Sequence, residues 1–247
     1  MFALLRNRLA PHRRRKLRIV TWNCAMALRN KWEQLISLAP DVAVIQECET
    51  KDRWHKDAYT SAVWCGNNKH KGLAIITFGP WKVEACESLD DTIEFVLPAR
   101  ISGPMVFNML AVWTKQSKIK GRSYIGQMEQ AADVYAAWLA GSDSVVVGDW
   151  NSNARFTGAS GEAYLATVAQ LAKFGLASAY HHHHRCRHGN EHHATWYNHK
   201  QAGNGYHLDY CFVPQSWTPK LRSVKVGRLD EWKAYSDHCP LVVDIAE

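Results

Sequence analysis

Seven polar residues of this chain share one kind of placement, at the end of an apolar run with strand character or inside one. Asn23 closes RIVTW, Glu47 follows VAVIQ, and Asp149 and Asn151 lie in VVVGDWN. Asp209 lies in HLDYCFV, and Asp237 and His238 lie in SDHCP. A carboxylate at a buried strand end is costly unless it is paired or bound to a metal. Acids, two amides and a histidine placed this way describe a hard-cation site with a proton acceptor beside it. Mg2+ fits such a donor set, because it prefers oxygen and keeps several of its waters. Such a set suits metal-assisted attack by water, in which a metal offsets developing negative charge and eases departure of a leaving oxygen. A base takes a proton from water, and an acid behind a histidine fixes its tautomer. Amide donors stabilise the charge that builds up.

Strands must hold these groups. Residues 17–23 (LRIVTWN) have the β-branched and aromatic content of a buried strand. A helix should follow, with Asn30 as its N-cap, Glu33 reaching back, and Trp32, Leu35, Ile36 and Ala39 as its stripe before Pro40. Residues 41–46 (DVAVIQ) then form a second strand, and this order suggests parallel pairing. Further strands are expected at 73–78, 93–96, 105–113, 145–148, 208–213, 221–226 and 241–245. Helices are expected at 127–140 and 162–174, stopped by Gly141 and Gly175. Strands outnumber helices, and many are not joined by helical crossovers. The expected fold class is α/β: two mixed β-sheets packed as a sandwich, with helices on the outer faces, rather than a Rossmann sheet. His181–His184, His188, His192, His193 and His199 crowd a stretch that reads as a long solvated loop. The alternative, a zinc site with Cys186, lacks a structural-zinc spacing.

Composition narrows the field further. The chain has 247 residues, 47% hydrophobic and 21% charged, which excludes disorder, collagen and coiled coil. No apolar run reaches the ~20 residues that would span a bilayer. The net charge of +7 is local, because residues 1–18 hold seven basic side chains and no acid. The remaining 23 basic residues equal the 23 acids. The expected organisation is therefore a basic arm at 1–16 and a single domain at 17–247, with no broad basic surface. Seven scattered cysteines without a CxxC, of which Cys24, Cys48, Cys211 and Cys239 read as core, fit reduced thiols in the cytoplasm. The opening apolar run is too short for a signal peptide, and its charges lie on the wrong side.

In family order, TWN (21–23), QE (46–47), KGLAI (71–75), GDWN (148–151), HLDY (207–210) and SDHCP (236–240) resemble the motifs of the endonuclease/exonuclease/phosphatase superfamily. That superfamily includes exonuclease III, the abasic-site endonucleases, deoxyribonuclease I, sphingomyelinases and inositol-phosphate 5-phosphatases. The resemblance spans residues 17–245 and implies a two-sheet sandwich and a metal-dependent hydrolase. It makes Glu47 the main metal ligand, with Asn23 and Asp237 as helpers. It makes His238 the catalytic histidine and Asp209 the acid that hydrogen-bonds it. Asp149 and Asn151 orient the water and the phosphoryl oxygens, and either His238 or Asp149 takes the proton. Mg2+ is the implied cofactor, and Mn2+ can substitute.

One departure concerns the phosphate. Many members carry His-Leu after a central strand, whereas here MLAVWTK places Trp113 in that position. Tyr124, Gln127, His181 and His199 are candidate substitutes, as is Lys115 in the basic stretch with Lys118, Lys120 and Arg122. Trp150 and Trp196 lie beside site motifs and are candidates for stacking on a base or sugar. The expected activity is that of a monomeric nuclease cleaving DNA or RNA. A phosphomonoesterase or lipid/inositol-phosphate phosphodiesterase of the same fold is the nearest alternative. A catalytically silent nucleic-acid or membrane binding module is the other, and the intact acid–amide–histidine set argues against it.

Overall fold

The computed structural model describes residues 15–116 and 124–246. The basic arm expected at 1–16 lies outside the described residues up to position 14, as do Lys118, Lys120 and Arg122. Strand β1 (Arg15–Asn23) opens the described chain, followed by β2 (Val42–Cys48), β3 (Ser61–Asn68) and β4 (Lys71–Thr77). Then come β5 (Lys82–Ala85), β6 (Val96–Ser102), β7 (Phe107–Trp113), β8 (Ser144–Asp149) and β9 (Leu176–Ser178). A small hairpin, β10 (Trp196–Tyr197) and β11 (Gly205–Tyr206), precedes β12 (Asp209–Pro214), β13 (Leu221–Val226) and β14 (Leu241–Ala246). The long strands form two six-stranded sheets, ordered β13-β14-β1-β2-β4-β3 and β5-β6-β7-β8-β12-β9. Pairs β1–β2 and β7–β8 are parallel, as the strand–helix–strand order of the first pair suggests.

Alternation along the strands makes this a sandwich. Leu17 and Ile19 of β1, Val44 of β2 and Ile75 of β4 face Met109 and Ala111 of β7, Val147 of β8 and Cys211 of β12 in one central core. The other side of the first sheet, with Val20, Trp22, Ala43 and Ile45, is covered by α1 (Trp32–Ser37) and by Leu28, Trp54 and Trp232. The outer face of the second sheet, with Leu110, Val112, Val146 and Phe212, lies under α2 (Tyr124–Val134), α3 (Ala136–Ala140) and α4 (Ala159–Lys173). Because both faces of each sheet are buried, the central strands read as nearly continuous apolar runs. The short helices α5 (Ala179–His184) and α6 (Leu229–Trp232) complete the set.

Several expectations need correcting. Asn30 does not cap α1: it ends a 3-10 turn, and the helix begins at Trp32 with no side-chain cap at Lys31. Buried Glu49 serves the turn instead, accepting the Leu28 and Arg29 amides at 2.8 and 2.9 Å. The strand expected at 93–96 begins where that range ends and runs to Ser102, after Phe95 adopts a left-handed φ of 56°. The helix expected at 127–140 is split at Tyr135 into α2 and α3. The histidine run is not a loop at its start, for it forms α5.

Candidate active site

The termini of the central strands converge. Asn23 ends β1 and pairs in register with Gln46 of β2, which places Glu47 one residue further on. Asp149 ends β8 and is paired with Asp209 at the start of antiparallel β12. The segment before β14 brings in Asp237 and His238. Its Ser236 hydroxyl donates to the Asn23 carbonyl at 2.7 Å and accepts the His238 amide at 3.0 Å. Ser236 thus ties this segment to the end of β1.

The centre is buried and dense with hydrogen bonds. Asp149 and Asp209 have no solvent exposure, and His238 retains 4%. His238 Nδ1 lies 2.9 Å from Asp209 Oδ2, and its Nε2 lies 3.8 Å from Asp149 Oδ2. Asn23 Nδ2 donates to Asp149 Oδ2 at 3.0 Å. Asn151 donates to Asp149 twice, from its backbone at 2.9 Å and from Nδ2 at 3.1 Å. The left-handed φ of 47° at Asn151 permits this return. Asp149 is therefore fixed from three sides.

Electrostatics follow from two acids around one imidazole. Burial works against the His238 charge, but Asp209 and then Asp149 outweigh it, and its pKa is raised. Burial pushes Asp149 upward as well, opposed by His238 and reinforced by Asp209. The buried Oδ1 of Asp209 has no hydrogen-bond partner among the described residues. The pocket thus carries an excess of negative charge that a cation or a proton on His238 would offset.

Glu47 and Asp237 sit at the rim, both half-buried. Glu47 has a left-handed φ of 61° at a register shift between β2 and β4. Its Oε2 lies 2.9 Å from Lys71 Nζ, so an ammonium already rests on this carboxylate. Asp237 Oδ2 accepts the Trp196 indole N–H at 3.0 Å. Glu47 and Asp237 are carboxylates and Asn23 an amide, oxygen donors of the kind a hard divalent cation takes, while the residues here whose ligand atoms lie within 4.8 Å of one another are Asp149, Asp209 and His238.

The candidate phosphate-holding residues are dispersed. Tyr124 is exposed at the start of α2, and His199 is exposed in the turn after β10. Gln127 points inward and accepts the Lys115 amide at 2.9 Å. His181 joins a different cluster with Glu191 and His188. Trp150 is no stacking platform, because it is fully buried and stacks on Phe212 at 5.0 Å. Trp113 is also buried, with the ammonium groups of Lys71 and Lys115 at 5.4 and 4.8 Å from its ring centroid. Sequence reasoning missed Lys71 as a site residue although it opens the KGLAI motif. It also missed Thr195, whose hydroxyl accepts the Leu208 and Asp209 amides at 2.8 and 3.0 Å and has no motif around it.

No family model matches the chain, and no curated protein matches it in sequence. Solved structures do match its fold. An AP endonuclease from Archaeoglobus fulgidus superimposes with a TM-score of 0.71 at 19% identity, over 93% of this chain and 99% of its own. A 3′ phosphatase from Neisseria bound to product DNA hairpin and a 3′-5′ exonuclease from Neisseria meningitidis each give a TM-score of 0.68 at 19% identity, over 94% of this chain and 100% of theirs. The chain shares its fold with these solved structures over nearly its whole length.

Proposed function

We propose that this protein is a Mg2+-dependent phosphoesterase that cleaves nucleic acid by direct attack of water. The observation that carries this reading is the buried Asp209–His238–Asp149 arrangement, with Asn23 and Asn151 fixing Asp149. A polar cluster of this kind at strand ends is costly for a fold and is suited to a reacting centre. Glu47, Asp237 and Asn23 would hold the metal, which when bound neutralises phosphoryl charge and assists the leaving oxygen.

The protein groups divide the remaining work. Asp209 holds Nδ1 of His238, which directs Nε2 away from that carboxylate. Two neighbouring acids favour a protonated His238, so its role is to hold charge on a phosphoryl oxygen. Asp149 then accepts the proton of the attacking water, the second of the two assignments open from the sequence. Asn151 orients the water and the phosphoryl group. Among sequence-distant cations, Lys71 is placed to meet a phosphate if it leaves Glu47. The arm at 1–16 would add non-specific attraction to a polyanion.

DNA is the favoured substrate because the similar solved structures include an AP endonuclease and a phosphatase bound to a DNA hairpin. The second of these also makes a 3′-phosphate monoester worth testing beside the diester. The deciding experiment offers single- and double-stranded DNA, abasic DNA, 3′-phosphorylated DNA and RNA, each with Mg2+, Mn2+ or EDTA. Metal-dependent cleavage of one nucleic acid is expected. Full activity in EDTA, or no cleavage of any arm, would overturn the reading.

A further inference from the structure

The turn that follows β1 is built from residues that resist its shape. Ala25, Met26 and Ala27 have left-handed φ values of 49°, 69° and 51°, and none of them is glycine. In this region the Cβ crowds the following carbonyl, so such a run persists only where neighbouring groups hold it. Two side chains hold it here. At the far end, Glu49 accepts the Leu28 and Arg29 amides. At the near end, half-buried Lys31 reaches back and donates from Nζ to the Cys24 carbonyl at 2.5 Å and to the Ala25 carbonyl at 3.2 Å. We infer that Lys31 is a positioning residue for the candidate active site, holding the left-handed turn that sets the Asn23 side chain on Asp149.

The connection runs through a single peptide group. The Cys24 carbonyl and the Ala25 N–H belong to one planar trans peptide, so they point in opposite directions. By gripping the oxygen, Lys31 aims the N–H. That N–H donates to Asn23 Oδ1 at 3.1 Å, and Asn23 Nδ2 donates to Asp149 Oδ2 at 3.0 Å. Turned over, the Asn23 amide would set its NH2 against the Ala25 N–H and its oxygen against a carboxylate. The Asn23 backbone is already fixed, by its pairing with β2 and by the Ser236 hydroxyl. What the turn governs is therefore the direction of the side chain.

Asp149 takes the proton of the attacking water in the function proposed above, and this role of Lys31 rests on that reading. An Asn23 side chain turned away would leave Asp149 with one amide fewer and free to tilt. The loss would fall on kcat rather than on KM, because no group that meets substrate is removed. Glu49 and Asp237 also attract the Lys31 ammonium, so the rival role is a direct charge effect on the rim acids.

The test follows Mg2+-dependent hydrolysis of bis-p-nitrophenyl phosphate by the full chain, with circular dichroism as the folding control. Lys31→Met keeps the aliphatic stem and removes the ammonium. It should lower kcat by about 10–10²-fold, as a misplacement of about 1 Å can do, with KM within about twofold of wild type. Asn23→Ala should lower kcat at least as far, and the double variant should match Asn23→Ala, because Lys31 acts through Asn23. Glycine enters the left-handed region freely, so adding Ala25→Gly and Ala27→Gly to Lys31→Met should restore part of the lost kcat. A direct charge effect would instead give additive losses and no restoration. By NMR, the Asn23 side-chain amide signals should move in Lys31→Met and return with the two glycines. In wild-type protein the Lys31 ammonium protons should exchange slowly with water, a readout that needs neither activity nor a folded variant. Wild-type protein without hydrolysis would sink the function proposed above, and these two sets of signals would still judge Lys31. Unmoved Asn23 signals, fast ammonium exchange, a loss confined to KM, additive losses, or no restoration by glycine would each overturn the assignment.

Discussion

His238 is gripped through one nitrogen by Asp209 at 2.9 Å and approached through the other by Asp149 at 3.8 Å. Removing the ring therefore removes a charge from the reacting centre and leaves two buried acids facing each other. His238→Ala should lower kcat/KM by about 10³-fold without unfolding the protein. Asp209→Ala alone should cost less, and the double variant should be little worse than His238→Ala, since the two act as one unit. Additive losses would show that Asp209 has a separate role. At the rim, Glu47 is shared between Lys71 and the proposed metal. Glu47→Gln should lower activity by at least ~10²-fold and raise the Mg2+ requirement. Lys71→Met removes the competitor, so half-saturation should need less Mg2+ while KM for a polyanionic substrate rises. If Mg2+ half-saturation instead stays unchanged, the ammonium on Glu47 has no bearing on metal loading.

At the scale of elements, the glycine of GDWN is as constrained as its acid. Gly148 lies in β8 at φ 147°, and a Cβ there would overlap the Val112 carbonyl of β7. Backbone on a parallel central strand cannot move aside as a side-chain tip can. Gly148→Ala should cost about 3 kcal/mol, at the upper end of overpacking effects, and denaturant unfolding of the variant would measure it. A loss under half of that would mean the two strands separate easily. The same elements explain what the sequence could reveal. Strands β1, β2, β7, β8 and β14 are buried on both faces and announce themselves as apolar runs, so the residues at their ends were legible too. Strand β3 (SAVWCGNN) is an edge strand, half-buried and exposed at its end, and β5 and β9 are four and three residues long. None of them carries an apolar pattern long enough to read. Four successive histidines gave no helical stripe, yet α5 forms because Ala179, Tyr180 and His181 find burial against β12 and its neighbours. Lys71 escaped for a related reason: an ion pair across a sheet register shift has no signature along the chain.

Across the whole molecule, burial of neutral histidines ties stability to pH. Burial lowers the His188 pKa from 6.5 to about 3, helped by His181, and lowers that of His207 from 6.5 to about 4. For each, the unfolded state binds a proton that the folded state refuses. Their contribution is fully present above pH 6.5 and is lost as pH falls from there toward the folded values. At pH 5 each site has forfeited about 2 kcal/mol, taking ~1.4 kcal/mol per unit below 6.5. Glu191 adds a lower window. Burial raises its pKa, but the hydrogen bonds from His181 and Gly189 outweigh that and hold it at about 2, so its share is lost only below 4.5. Two histidines together remove about 4 kcal/mol by pH 5, a large part of the 5–15 kcal/mol typical of a domain. Urea unfolding in chelator should show stability declining from pH 6.5 to 5, by less than the two histidines alone would give, because the raised Asp149 carboxyl takes up a proton in the folded state over the same range. His188→Phe cannot take up the proton, so its profile should be flatter by about one proton over that range. A wild-type profile that is level between pH 6.5 and 5 would mean that these rings are already protonated in the folded protein. The histidine-rich segment would then be held by ion pairs rather than by the neutral packing around Tyr164 and Tyr180.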